Sequence, residues 1–156
     1  RSMEHWQTLL QESITQPAQL QQVFGITPEP LHKVTKKYPM RINPYYLGLM
    51  KQPGDPMWRQ AVPDVLELED TVCMDDPLNE ENLSPVPNLV HKYPDRALFL
   101  VNNQCAVYCR FCTRKRKIGT KEMNVSIETI DAGLDYMRKT QGIRDVLVSG
   151  GDPLLL

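Results

Sequence analysis

The chain has 156 residues, 41% of them apolar and 24% charged, and a formal net charge of −1. So even a balance excludes a global field that would draw the chain to nucleic acid or anionic lipid. No apolar run approaches the roughly 18–20 residues that a helical membrane span needs, and the first residues carry no apolar stretch of signal-peptide type, so the expected compartment is the cytoplasm.

Most of the 13 prolines lie between Pro17 and Pro94, and this half reads as short helices joined by turns. Glu4–Ser13 places Trp6, Leu9, Leu10 and Ile14 at helical spacing. Pro17 opens a second helix over Ala18–Phe24, with Gly25 as its stop. Pro28–Tyr38 and Tyr45–Met50 are further helical candidates, the latter followed by the turn Pro53-Gly54-Asp55-Pro56. Asp75–Pro94 is polar and proline-rich, and reads as an extended segment lying over a larger body.

The character then changes. Ala97–Val101 is a continuous apolar run of strand length, suited to a strand buried on both faces. Ser126 is an N-cap candidate, and Ile127, Ile130, Leu134 and Met137 follow it as one helical stripe, with Gly142 as the stop. Asp145–Ser149 is a second strand, running into Gly150-Gly151-Asp152-Pro153. Strand, loop, helix, strand is a βαβ unit and implies a parallel sheet. The expected fold class is therefore α/β. Residues 1–95 form a helical and extended N-terminal region, and residues 96–156 begin a larger sheet. One βαβ unit cannot cover both faces of its own sheet, so the expectation is that this is the N-terminal part of a longer protein.

Three of the four cysteines, Cys105, Cys109 and Cys112, fall within eight residues. Clustered cysteines in a reducing compartment point to metal, and thiolates suit iron–sulfur clusters and zinc. Most [4Fe–4S] clusters take four cysteines; C-x3-C-x2-C offers three and leaves one iron open to a small ligand. Two plainer readings stand beside this one. The three could share a helix face as small core residues, or hold structural zinc with Cys73 or His91 as the fourth ligand. The Gly150-Gly151 turn, one βα unit later, would let a ligand approach the backbone closely.

Several segments taken in order resemble the lysine 2,3-aminomutase family of radical S-adenosylmethionine (SAM) enzymes. They are Met40–Tyr46, Asp76-Pro77-Leu78, Ser84–Arg96, Cys105–Lys117 and the closing Ser149-Gly150-Gly151-Asp152-Pro153-Leu154. The resemblance covers roughly residues 35–156. It implies a partial TIM-like (β/α) barrel, and movement of an amino group from C2 to C3 of a free amino acid, most readily L-lysine to β-lysine. It also implies three cofactors: a [4Fe–4S] cluster, SAM and pyridoxal phosphate (PLP). By the same resemblance Cys105, Cys109 and Cys112 hold the cluster, and Lys92, Tyr93 and Arg96 contact PLP. Tyr108 packs beside the cluster. Arg114 reads a carboxylate, while Gly150, Gly151 and Asp152 line the SAM site. The lysine that carries PLP would lie beyond residue 156, so no catalytic residue is assigned. Glutamate and arginine mutases are the nearest alternatives. A relative that modifies elongation factor P is disfavoured by Cys112-Thr113-Arg114. Two departures from the family pattern are Lys92, where arginine is usual, and Asn88, where glycine is usual.

The implied partners are the amino acid substrate, a reductant for the cluster and a second copy of the whole protein, with neither nucleic acid nor membrane. Arg114-Lys115-Arg116-Lys117 looks like a nucleic-acid patch, but it adjoins the cysteines, where anionic cofactors need cations. Tyr46 reads as a packing residue that could cover a cofactor.

Overall fold

The computed structural model describes residues 5–156; Glu4, the expected start of the first helix, lies outside the described residues. The chain divides into two compact units. The first runs up to Cys73 and takes in Ala106–Arg116; the second comprises Met74–Cys105 and Lys117–Leu156. These units interleave along the chain, whereas the single boundary at 95/96 follows the change in composition.

The first unit contains the short helices α1 (His5–Gln11), α2 (Pro17–Phe24), α3 (Glu29–Thr35), α4 (Pro44–Leu49), α5 (Pro56–Ala61) and α6 (Leu66–Glu69). Proline supplies the first helical residue of α2, α4 and α5, where its fixed φ suits the helix and its missing N–H costs nothing. The Asn43 and Asp55 side chains accept the Tyr46 and Trp58 amides at 2.8 and 2.7 Å, capping α4 and α5. Gly25 ends α2 at φ 66°, as expected of a left-handed stop. Helices α5 and α6 are additions to the sequence reading: Asp55-Pro56, expected as the end of a turn, is also a cap and first helical residue.

Helices this short are not stable alone, and packing holds them. Ile14, Leu20, Met40, Ile42, Met50, Ala61 and Val62 form the core of this unit. Phe24 and Trp58 meet edge to face at 5.2 Å beside it. Ile14 and Ile42 exchange backbone hydrogen bonds of 2.8 and 2.9 Å. Ile42 also bridges Val107, which draws the cysteine-bearing loop onto this core.

The second unit holds β1 (Leu89–Tyr93), β2 (Arg96–Asn102), α7 (Ile127–Lys139) and β3 (Asp145–Gly150), in the sheet order β1-β2-β3. β2 and β3 are parallel, as the βαβ reading requires. β1 pairs antiparallel with β2 through a hairpin closed at Tyr93 and Arg96. The segment expected to be merely extended therefore ends in a strand, and the sheet is mixed rather than wholly parallel. Asn88 enters β1 at φ 62°, a conformation asparagine tolerates better than most residues.

Ser126 caps α7 as expected. Its hydroxyl accepts from the Thr129 amide at 3.3 Å, and the Thr129 hydroxyl accepts from the Ser126 amide at 2.9 Å. Leu89, Ala97 and Phe99 form the core, covered by Ile130, Tyr136 and Met137 of α7. The expected stripe is thus corrected: Ile127 and Leu134 are exposed, and Tyr136 joins the packed face. α7 ends at Lys139 with Thr140 as its cap, two residues before Gly142. Val146, Leu147 and Val148 of β3 are exposed.

Candidate functional site

β2 and β3 end side by side, with Asn102 opposite Gly150. The chain leaves β2 through Asn103 and Gln104 to Cys105, and leaves β3 through Gly151 and Asp152. The two exits are laced together. The Gly151 amide donates to the Asn102 carbonyl at 2.5 Å and the Asp152 amide to the Gln104 carbonyl at 2.7 Å. The Asn102 side-chain amide donates to the Asp152 carbonyl at 2.8 Å and to the Gln104 carbonyl at 3.2 Å. A Cβ on Gly150 would strike the Asn102 backbone, and one on Gly151 the Gln104 backbone. The glycine pair therefore serves first the meeting of two backbones. The Asp152 carboxylate accepts the Leu154 amide at 3.0 Å and caps a short 3-10 turn at Pro153–Leu155. Asn102 and Gln104 carry this lacing, and sequence reasoning does not single them out; a polar pair at the end of an apolar strand is the available signal.

None of the four cysteines is in a disulfide. Cys105 belongs to the second unit, Cys109 and Cys112 to the first. Residues 105–120 form turns and no helix, which overturns the reading of three cysteines along one helix face. The Cys112 amide donates to the Cys109 carbonyl at 3.2 Å, and the Arg114 amide donates to the Cys112 sulfur at 3.3 Å. Burial, and then the neighbouring Cys112, pushes the Cys109 thiol above the ordinary range. Burial, and then the charge of Cys109, likewise raises the Tyr46 hydroxyl, so Tyr46 is close enough to feel that sulfur. Tyr108 is buried, with the Arg41 guanidinium over its ring at 5.6 Å.

Among the described residues no group of three or more histidine, cysteine, aspartate or glutamate side chains is gathered tightly enough to hold a metal ion. The donor chemistry nonetheless fits an iron–sulfur cluster. Three cysteines stand in sequence outside any disulfide, two of them in one loop, and an N–H is aimed at a sulfur. Hydrogen bonds of that kind tune cluster ligands.

Arg110, between the last two cysteines, is buried and closely held. Its guanidinium donates to Glu67 through Nε (3.0 Å) and Nη2 (2.9 Å), to the Pro39 carbonyl at 2.8 Å and to the Tyr38 carbonyl at 3.4 Å. Lys115 reaches the same Glu67 carboxylate at 3.0 Å. Burial alone would raise the Glu67 carboxyl, but the Arg110 bonds and charge outweigh it and hold it below the usual range. Glu67 and Arg110 are also missed by sequence reasoning. An arginine inside a cysteine motif is the one available signal for the pair.

The hairpin end in the second unit brings Lys92, Tyr93 and Arg96 together. The exposed Tyr93 ring has the Lys92 ammonium 5.7 Å from its centroid and the Arg96 guanidinium at 5.6 Å. Arg96 also pairs with Asp95 at 3.1 Å, and Arg144 with Asp95 at 3.0 Å. His91 faces Tyr136, ring nitrogen to hydroxyl at 2.8 Å. In the first unit Cys73 is exposed and tied to Asp70, whose carboxylate accepts its amide at 2.9 Å.

No family model matches the chain. It is 41% identical to the L-lysine 2,3-aminomutase of Clostridium subterminale and 45% identical to that of Methanococcus maripaludis, each over 97% of its own length. It is 38% identical to the glutamate 2,3-aminomutase of Clostridioides difficile, again over 97%. The matches span 38%, 36% and 36% of those three proteins, little more than a third of their length. Likeness of this degree over nearly the whole chain makes it a 2,3-aminomutase homologue. Within that class the chain belongs to the L-lysine 2,3-aminomutase family. Among the described residues no helix is long and apolar enough to cross a membrane.

Proposed function

We propose that the protein carrying this chain is a radical SAM aminomutase that moves the amino group of L-lysine from C2 to C3. One observation carries this reading beyond the likeness of sequence. The glycine turn after β3 is hydrogen-bonded to the residues that lead directly into Cys105. Both features leave the C-terminal ends of parallel strands, where α/β folds gather their reactive groups. On this reading β2 and β3 belong to a partial (β/α) barrel begun at residue 96, after a helical and extended region of residues 1–95 that ends in β1.

Cys105, Cys109 and Cys112 would hold a [4Fe–4S] cluster as thiolates, with SAM on the remaining iron. Cluster and SAM would supply a carbon radical, and PLP an electron-accepting ring for the migrating amine; the chain's task is to bind and orient these groups. Ligation needs thiolate, so the raised Cys109 thiol must release its proton as iron binds. Tyr108 stiffens the cysteine loop from within the core. The Lys92 and Arg96 cations beside the Tyr93 ring suit an anionic aromatic cofactor. Lys92 keeps the charge of the family's arginine and loses its fork. Arg114 would pair with a carboxylate, and Gly150, Gly151 and Asp152 would present backbone groups to SAM. The reading includes a cytoplasmic, oligomeric protein with an external one-electron reductant.

Anaerobic reconstitution of the whole protein with iron and sulfide tests it. The expected product is brown, changes its electron paramagnetic resonance signal on addition of SAM, and converts L-lysine to β-lysine once PLP is added. Alanine at any of the three cysteines should abolish the signal. A colourless protein holding one zinc sinks the proposal in favour of a structural module. Turnover of glutamate or arginine in place of lysine corrects the substrate alone.

A further inference from the structure

The cysteine loop has an anchor that the cluster reading does not use. Arg110 stands between Cys109 and Cys112, and Lys115 three residues after Cys112. Both converge on the carboxylate of Glu67 in α6, far away in sequence. The Arg110 and Glu67 side chains are only 7% and 11% exposed, so the pair is largely removed from water. The guanidinium has little capacity left for a ligand. Glu67 takes Nε and Nη2, the Pro39 and Tyr38 carbonyls take further hydrogens, and the Arg110 amide donates to the Gln60 carbonyl at 2.8 Å. The Lys115 ammonium lies 4.4 Å from the centre of the Tyr38 ring. One carboxylate thus clamps the loop on both sides of Cys112.

A buried pair of this kind is poor evidence for stability. Its desolvation cost can match its attraction, and apolar replacements often do as well. What such a pair supplies is geometry, because two parallel bonds between a planar fork and a carboxylate fix direction as well as distance. Groups behind metal ligands act in this way, orienting the ligands without touching the metal.

We infer that Glu67 is a positioning residue for the iron–sulfur cluster: by holding Arg110 and Lys115 it sets where Cys109 and Cys112 present their sulfurs. This rests on the cluster reading above. Glu67 acts through Arg110 and Lys115 and is not a catalytic residue.

The test uses the whole protein as wild type, Glu67→Gln and Glu67→Asp, each reconstituted without oxygen. Three quantities are read: iron and sulfide bound, the rate at which a chelator strips the iron, and the unfolding midpoint of the metal-free protein. The Glu67→Gln change keeps the volume and removes the charge. That variant should fold without metal and then lose iron roughly tenfold faster, the scale on which outer partners of metal ligands act. Glu67→Asp keeps the charge and should recover part of the retention. Equal chelation rates in wild type and Glu67→Gln overturn the inference. So does a Glu67→Gln protein that fails to fold without metal, since Glu67 would then serve the unit as a whole. A wild-type protein that takes up no cluster at all defeats the cluster reading instead.

Discussion

The backbones of Gly150 and Asn102 lie so close at the ends of β3 and β2 that no side-chain carbon fits between them. Gly150 also sits at φ 131°, outside the regions open to other residues. Alanine there meets a backbone obstacle that no rotamer change relieves. Gly150→Ala should lower stability by about 2–4 kcal/mol, in the range of strained backbone substitutions. Denaturant unfolding of the metal-free protein measures it. A midpoint equal to wild type would mean that the glycine is spared by the fold and kept for a ligand.

Gly133, within α7, sets two effects of opposite sign against each other. Alanine in a helix interior is worth up to about 1 kcal/mol over glycine. Here the added carbon would meet the ring of Phe99, a buried member of the sheet core. Overpacking a core typically costs about 1–3 kcal/mol, so the expected net effect of Gly133→Ala is destabilising. A raised thermal midpoint would show that the Phe99 ring can move aside.

These two glycines mark where the sequence is legible and where it is not. Gly150 reads as a functional turn from its place after a strand, but the backbone that excludes a side chain there belongs to Asn102, and no local pattern points to it. Ser126, Gly25 and the apolar run at Ala97–Val101 can be read directly, because caps, left-handed stops and buried strands act within a few residues. β1 cannot, since Leu89–Tyr93 becomes a strand only by pairing with Leu98 and Phe99. The α7 stripe holds only in part for a related reason: helical periodicity offers Ile127 and Leu134 to a core, but the sheet beneath decides which positions are covered. The cysteine spacing is visible at once. Its anchor, Glu67, lies more than forty positions away from Arg110 and looks like an ordinary surface acid in Leu66–Glu69.

The Glu67 carboxyl carries a signature in acid. Burial raises it, but the Arg110 hydrogen bonds and charge win, leaving it below its ordinary value of 4.5. A carboxyl depressed by folding contributes stability that is fully present above the unfolded value. That contribution is lost as pH falls through the folded value. Asp55 and Asp95 are depressed as well, so acid sensitivity alone is not diagnostic. The difference between wild type and Glu67→Gln is. The gap between their unfolding free energies should be constant near neutrality and shrink below about pH 4.5, by linkage. A gap that does not change with pH would show that Glu67 is not held ionised in the folded state.

Cys73 offers a test that needs no metal. Its thiol is exposed, which ordinarily favours reaction, yet a hydrogen bond to Asp70 and then the Asp70 charge push it above the ordinary thiol range. The same carboxylate accepts the Val72 and Cys73 amides at 2.9 Å each, so it is well placed to keep the proton on sulfur. Asp70→Asn preserves an oxygen acceptor for those amides and removes the charge. Alkylation at mildly alkaline pH, followed residue by residue by mass spectrometry, should label Cys73 faster in Asp70→Asn than in wild type. The half-buried Cys109, whose thiol is raised chiefly by loss of water, should label slowly in both. An unchanged Cys73 rate would show that exposure alone governs that thiol, and that the Asp70 bond does not persist in solution.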